Sequence, residues 1–528
     1  MEIRKKRLLL MTVMIGFVSM IILTNLIGNL GMAYFAIALE SYLLLDVLLS
    51  ACVPDYVAKM VRSRMAKAQY KNADKVLKTA FFYALITGII GSFLLLGTAE
   101  ILCDKLFHAR EAALALKILA PAFGINSVSA VLQGYFQGIG TAMPTLASGL
   151  LKQLLNLSFG ALFGCMLFDY GKKAAALLHS EKFGFMYGAA GVATGFLLTS
   201  VLILMFLLFI YLGAERRMRR HSKEGMRLSE DGIDILRQLF FMLLPAVAAG
   251  FLLRTGTFFG VAVFQSYHTE GTVPLASFGS FYGRYLSLVG LVTVLALICC
   301  TGTETTVVHS VKKEEYKNAK NYLAGGMQSI WILTLFFASV CFVLSPYFLE
   351  GEKMTDAVTC MRHGFLLPVF LAMGIFFSHI LNETGRKKTV LFSRLAAFCA
   401  FLAMAFLGGR LFKGDIIMLV YALQTFAVIH CLINGFFLLR ETRCNPEWIR
   451  FFLLPLLAAG ITGGCIFLLS KALQSLLGGM LTGLVSLIVG GFCYLILIFV
   501  FRCIREKDLY VLPGGMILRK IGIFLHLL

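Results

Sequence analysis

Charge is what this chain has least of. Only 14% of its 528 residues are Asp, Glu, Lys or Arg, and acid is scarcer than base, 28 against 48. Soluble domains carry about 25% charged residues, so an ordinary soluble architecture is excluded. Also missing are ~10-residue segments that alternate apolar and polar, the pattern of a membrane-spanning barrel; "SFLLLG" and "LILMFLLFIYLG" do not alternate. No HExxH, GxSxG or P-loop lysine motif occurs, and no His/Asp/Glu cluster stands out. The 13 Cys residues form no CxxC pair and lie mostly within apolar runs, with Cys299 and Cys300 read as small apolar packing. The expectation is a protein that is not an enzyme, with no catalytic residue, no metal site and no resident cofactor. Energy for any transport would then come from Na⁺, H⁺ or the membrane potential.

What fills the chain instead is hydrocarbon. Hydrophobic residues make up 59%, the mean hydropathy is +0.84, and apolar runs of ~20 residues, enough to cross ~30 Å of bilayer, recur throughout. The fold class is an all-α polytopic membrane protein. Fourteen spans are expected, centred at about residues 17, 46, 90, 127, 157, 200, 250, 293, 335, 372, 399, 427, 460 and 489. The N-terminal "MEIRKKRLLLMTVMIG" has a basic flank but no small-residue cleavage site after it, so it reads as the first retained helix. The net charge of +20 fits basic cytoplasmic loops, and no nucleic-acid partner is expected. Alternate loops hold most of the 48 Lys and Arg residues, in stretches such as "RRMRRHSKEGMR", "VKKEEYKNAK" and "GRKK". Those loops face the cytoplasm by the positive-inside rule, which puts both termini inside.

A short phrase occurs twice. "AQYKNADKVLKTA" (Ala68 to Ala80) is echoed by "EEYKNAKNYLAGG" (Glu314 to Gly326). Two further matches follow in order: "ILAPAF" with "FLLPVF", and "QGIGTAMPT" with "NETGRKKTV". Order and spacing together argue for duplication. The expected organisation is a six-helix lobe over 1–232 ending in a basic linker, and a second six-helix lobe over 233–445. Two more helices and a tail fill 446–528. Parallel repeats of this kind are related by a pseudo-two-fold axis along the membrane normal, an arrangement common in secondary transporters. The YKNA phrase is expected to keep its loops in the cytoplasm and to start a short interfacial helix. The tail "PGGMILRKIGIFLHLL" either lies along the membrane surface or simply ends the chain.

Ionisable side chains inside spans are costly and usually face a wet cavity or one another. Here they are Glu40, Asp46, Lys117, Lys152, Arg254, Arg284 and Arg394. Lys117 lies near the outer interface and can snorkel. Lys152 shares a helix face with Ser148 and Asn156, and Arg284 with Ser277, Ser280 and Ser287. Asn126, Ser129, Gln133 and Gln137 form a polar stripe, and Gly134 and Gly138 a GxxxG contact. Two readings are open: structural pairs, such as Glu40 or Asp46 with a base on the next helix, or a cavity with a surplus of cations suited to an anion. On the second reading Arg254, Arg284, Lys152, Asn156, Gln133, Gln137 and Arg394 bind substrate. Glu40 and Asp46 then serve ion coupling.

The stretch "LAPAFGINSVSAVLQGYFQGIGTAMPTLASGLLKQLLN" (Leu119 to Asn156), with "YGAAGVATGFLLTS" (Tyr187 to Ser200), resembles the multidrug/oligosaccharidyl-lipid/polysaccharide flippase superfamily. Within it the pattern is similar to the polysaccharide-biosynthesis group that includes stage V sporulation protein B and MurJ-type lipid II flippases. That resemblance implies two six-helix lobes around a central cavity and an appended helix pair associated with a lipid tail. Alternating access would carry an undecaprenyl-pyrophosphate-linked saccharide or peptidoglycan precursor to the outer leaflet of a bacterial cytoplasmic membrane. Partners implied are the lipid-linked saccharide, membrane lipids and cell-envelope synthesis enzymes. The pattern departs at Gln133, where the group usually has Arg, and at Lys152, where it usually has Glu. The arginines that MurJ-type members carry on the first two helices have no counterpart between Met11 and Ala58. The alternatives are a MATE-like cation-coupled exporter of small amphipathic molecules, for which Glu40 and Asp46 would bind Na⁺ or H⁺, and a non-transporting scaffold.

Overall fold

In the computed structural model the described residues are 2–222, 230–268, 272–349, 355–476 and 478–505, with isolated positions in the tail. Most of the C-terminal amphipathic segment and residues 223–229 of the basic linker lie outside them. The described residues form helices and no strand, because a chain in hydrocarbon must satisfy its backbone groups within itself. In chain order the helices are α1 (Glu2–Leu49), α2 (Val53–Ala66), α3 (Tyr70–Ile101), α4 (Ala112–Gly138), α5 (Met143–Leu178), α6 (Lys182–Ser222), α7 (Gly232–Ser266) and α8 (Thr272–Ser280). A π-helical turn, Phe281–Leu286, leads on to α9 (Ser287–Lys312) and α10 (Tyr316–Phe348). Then come α11 (Thr355–His363), α12 (Leu367–Glu383), α13 (Lys387–Leu411), α14 (Ile417–Thr442), α15 (Leu454–Gln474) and α16 (Gly479–Val500).

Twelve of these helical stretches are long and apolar enough to span a membrane, and thirteen if α11 and α12, bent by 56°, count as one broken span. The first stretch, Arg4–Ala66, holds 63 residues. At 1.5 Å per residue it would be about 95 Å long, three bilayers thick. It crosses twice, and Gly28 is where it turns. Gly28 alone within α1 has non-helical dihedrals, φ 76° and ψ 168°. Before it, Thr12, Gly16, Leu23 and Ile27 lie against Gly149, Gln153, Gly160 and Gly164 of α5 in ascending order. After it, Tyr42, Pro54 and Val61 lie against Asn126, Gly134 and Gly138 of α4, also in ascending order. Helices α4 and α5 run antiparallel, since Thr145 and Ser148 fold back beside Gln133. The direction of α1 is therefore reversed at Gly28, and counting both crossings agrees with the fourteen expected.

The reversal is held from the side. Arg284, 4% exposed, donates from Nη2 to Asn25 Oδ1 (2.8 Å) and from Nη1 to Asn29 Oδ1 (2.5 Å), one asparagine on each side of Gly28. Nη1 also reaches Ser280 Oγ at 3.4 Å. Nearby, Gly279 packs against the Asn29 carbonyl and Gly283 against Thr24 Oγ1, so closely that neither position has room for a Cβ. The expected GxxxG contact is present as well: a Cβ on Gly134 would lie 2.5 Å from the Pro54 carbonyl oxygen, and one on Gly138 2.6 Å from Val61 Cβ.

By packing, the chain divides into two units, Met1–Arg284 and Tyr285–Leu528. Helices α7 and α8 thus pack with the first unit. The division expected at 232 follows the sequence duplication, which is a different property from contact. The first unit's core includes Val57, Val61, Val76, Leu132, Phe136 and Leu239. The second is built around Ile330, Phe376, Phe377 and Ile380, with Tyr494 and Ile498 of α16 in an adjoining cluster.

The duplication is visible in backbone geometry. Ala68 (φ 56°) and Glu314 (φ 61°) are equivalent left-handed residues. In the same frame Gln69 N–H donates to the Arg64 carbonyl and Glu315 N–H to that of Ser310. Helices α3 and α10 begin at Tyr70 and Tyr316, so the YKNA phrase is the first turn of a spanning helix rather than a separate interfacial one. Gly140 (φ 89°) and Gly385 (φ 93°) make a second equivalent pair. Thr141 N–H donates to the Phe136 carbonyl, as Arg386 N–H does to that of Leu381. The two YKNA copies differ in side-chain use. Asn72 Oδ1 accepts the Glu230 N–H at 3.1 Å, Lys75 Nζ donates to the Glu230 carbonyl, and Arg64 Nη2 lies 2.6 Å from the Glu230 carboxylate. Asn318 instead donates to Glu315, three residues before it.

The turn makes a measurable demand. Gly28→Ala places a side chain at positive φ with ψ near 180°, a region kept almost wholly to glycine, at a cost of about 1–3 kcal/mol. Arg284→Gln removes the clamp, at about 1–3 kcal/mol. Both variants should melt below the wild type in detergent, and the double variant should fall short of the sum because both act on one turn. Wild-type melting of Gly28→Ala would show that the left-handed turn is not required.

Candidate functional site

The ionisable residues of the first unit converge from α1, α5 and α7. Glu40 is 2% exposed. Its Oε2 accepts from Thr257 Oγ1 at 2.7 Å, and its Oε1 from the Tyr282 hydroxyl at 2.8 Å and from Arg254 Nη1 at 3.4 Å. Two short neutral bonds and one long ionic contact therefore share a single carboxylate. The Arg254 side chain is 39% exposed against 2% for its partner. Arg254 is the loosely held member, and Glu40 keeps two donors if it leaves.

Asp46 lies six residues beyond Glu40 on α1, within electrostatic range of Lys152 and Arg254, and accepts a hydrogen bond from Ser50. The Lys152 ammonium sits 5.3 Å from the centre of the Phe196 ring. Edge-on to that ring is Tyr42, at 5.9 Å, and Tyr42 Oη accepts from Asn126 Nδ2 at 2.7 Å. Glu40, Asp46, Lys152 and Arg254 are thus brought together, with the carboxylates beside bases on neighbouring helices. Asn156, one turn after Lys152, has a buried Oδ1 without a hydrogen-bond partner among the described residues.

Other sequence candidates lie apart from this group. Gln133 Nε2 donates weakly to Ser148 Oγ at 3.4 Å. Gln137 contributes its backbone carbonyl to Arg62 Nη2 at 3.3 Å, at the α4–α5 corner. Arg284 is at the Gly28 turn. Lys117 pairs with Glu100 at 2.6 Å, both well exposed, as a snorkelling lysine would. Arg394 belongs to the second unit, buried on α13 near His430.

Sequence reasoning missed several polar residues. Tyr282 is the shortest bond to Glu40 from outside α7, and nothing in "GSFYGRYL" singles it out. Asn25 and Asn29, four apart in an apolar run, did carry a signal. So did His430 and Asn434, also four apart. His430 is fully buried, with Nε2 2.9 Å from Ser378 Oγ and Nδ1 3.3 Å from Ser393 Oγ, while Asn434 Nδ2 donates to Ser378 at 3.0 Å. This cluster ties α12, α13 and α14 together. Among the described residues no group of three or more His, Cys, Asp or Glu is placed to hold a metal ion.

With this geometry in hand, the chain can be set beside known proteins. Residues 8–244 match the family described as polysaccharide biosynthesis protein. Stage V sporulation protein B of Bacillus subtilis is 22% identical over 329 residues, 60% of each chain. The lipid II flippase MurJ of the same organism is 23% identical over 153 residues, 28% of each chain. The matches therefore span about three-fifths and about a quarter of those relatives' own lengths. Among solved structures, lipid II flippase MurJ in an inward closed conformation superposes with a TM-score of 0.67 at 14% identity, covering 95% of this chain and 99% of that one. An inward-facing MATE family multidrug transporter of the MOP superfamily gives 0.66 at 16% identity, covering 82% and 96%. The chain is thus a multi-pass membrane protein that resembles the polysaccharide biosynthesis proteins over residues 8–244 and the sporulation protein and MurJ over part of their lengths, with the fold of the MurJ and MATE structures.

Proposed function

We propose that the protein is an alternating-access flippase. It moves a lipid-linked, pyrophosphate-bearing saccharide or peptidoglycan precursor from the inner to the outer leaflet of a bacterial cytoplasmic membrane, with both termini in the cytoplasm. The reading is supported by the homology to the sporulation protein and the lipid II flippase, and by the charge distribution of the loops. One observation carries it at the level of residues: Arg254 is a half-exposed guanidinium on a carboxylate that does not depend on it. In the structure Arg254 rests on Glu40. A diphosphate arriving in the lumen offers it a bidentate partner of higher charge. Arg254 changes partner, and Glu40 remains hydrogen-bonded to Thr257 and Tyr282.

Lys152 and Asn156 on α5 are proposed to face the substrate with Arg254, whereas Arg284 is committed to the Gly28 turn, Gln133 and Gln137 lie apart on α4, and Arg394 belongs to the second unit. Glu40 and Asp46 are proposed to couple the cycle to Na⁺, H⁺ or the membrane potential. Cell-envelope synthesis enzymes that make or consume the substrate are the proposed partners. A second reading, cation-coupled export of small amphipathic molecules, draws on the two carboxylates and on the fold shared with MATE transporters.

Reconstitution separates the two. Proteoliposomes are given a labelled undecaprenyl-pyrophosphate sugar or a fluorescent cationic drug, and arrival on the opposite side is timed. The expected result is lipid translocation; drug transport without it would overturn the proposal. The partner exchange predicts opposite signs for two variants. Arg254→Ala should raise the half-saturating substrate density by about tenfold or more, the usual worth of a charge-assisted hydrogen bond. Glu40→Gln frees Arg254 and should lower it, at a reduced turnover. The same direction of change in both would remove the exchange.

A further inference from the structure

The second unit carries a cavity unconnected with the ionisable group on α1, α5 and α7. It measures about 900 Å³ and is formed by the last turns of α10 and α15 together with α11. Its walls are apolar and in part aromatic, with Phe342 and Phe467 each about half exposed. Its rim bears two cations, Arg362 and Lys471, both exposed.

These two cations differ from several at helix ends of the first unit. At helix ends of the first unit, Lys117 pairs with Glu100, Lys172 with Asp169 and Lys182 with Glu111. Among the described residues Arg362 and Lys471 have no carboxylate partner. Lys471 rests against the face of Phe467, 4.6 Å from its centre. Gln474 on the same rim accepts the Tyr347 hydroxyl at 3.4 Å, which leaves its amide donors unengaged.

We infer that this cavity is a binding site for an anionic membrane phospholipid, whose headgroup phosphate sits between Arg362 and Lys471 while its acyl chains line the apolar walls. A surface cavity at the end of membrane-spanning helices is filled by lipid. The chemistry of this one selects among lipids. A free soluble anion would engage the charges but gain nothing from Phe342 and Phe467. A zwitterionic choline lipid brings its own cation, which the two bases repel. The planar guanidinium accepts a phosphate side-on through two parallel bonds, and the ammonium adds a point charge. Bound there, the headgroup links α11 to α15 and so fastens the final helix pair to the rest of the second unit. That the lipid comes from the outer leaflet rests on the orientation proposed above; its binding does not.

The test uses the purified full chain in phosphatidylcholine nanodiscs containing a minority of phosphatidylglycerol, with no lipid-linked saccharide present, so failure of the transport reading leaves it unaffected. Native mass spectrometry counts the lipids retained after delipidation. Wild type should retain phosphatidylglycerol in preference to phosphatidylcholine. Arg362→Gln with Lys471→Gln should cut that preference roughly tenfold or more, since each basic side chain near a membrane surface contributes to anionic-lipid binding. Lys105→Gln with Lys173→Gln, an equal loss of charge on exposed residues of the first unit, should leave it unchanged. A folding control is provided by melting in pure phosphatidylcholine, where both double variants should match wild type. Wild-type preference in the Arg362/Lys471 variant, equal loss in the control variant, or no preference in wild type would each overturn the site.

Discussion

A charge carried into hydrocarbon must find a partner, and much of the first unit is arranged around that requirement. Glu40 is satisfied three times over by Arg254, Thr257 and Tyr282. Asp46 has Lys152, Arg254 and Ser50 within reach. Arg284 meets two asparagines and a serine, with no carboxylate among its contacts in the described residues. Counting only these ionisable groups, two acids face three bases, so the unit's interior carries an excess of positive charge if all are ionised. The helices that supply these partners lie far apart in sequence. Satisfying one side chain therefore commits α1, α5, α7 and the π-helical turn to a shared arrangement.

Neutral donors change what the ionic contacts can do. A buried ion pair that loses one member leaves the other stranded at high cost. Glu40 bears less of that penalty because its two shortest bonds come from hydroxyls. The second unit has a polar cluster of another kind: His430, Ser378, Ser393 and Asn434 hydrogen-bond to one another, all fully buried, with Arg394 nearby. Such a network holds three helices in register and has little freedom to exchange partners.

Local features were the most legible in the sequence. Helical class, spans and the duplicated corners could be read from composition, run length and a four-residue phrase, because turns and hydropathy are properties of neighbouring residues. The ionisable residues could also be picked out individually, since any charge in an apolar run is conspicuous. Their pairing could not. Glu40 and Arg254 are 214 positions apart, and no periodicity connects them. Arg284 looked equivalent to Arg254 on composition alone. Only the fold separates a guanidinium that clamps a turn from one that stands half exposed. The Gly28 reversal was hidden for a simpler reason: the apolar run continues through it, and glycine is common in membrane helices.

That reversal has a mechanical consequence. Most neighbouring spans in a polytopic membrane protein are joined by several residues, each contributing two soft dihedrals that can absorb relative movement. Between the first two crossings of this chain there is one residue. A tilt or rotation of the N-terminal crossing has no slack to disappear into, and reaches Glu40 and Asp46 through a single pair of torsions. The first span is in effect a lever whose fulcrum is Gly28, and Arg284 sets how stiffly it turns.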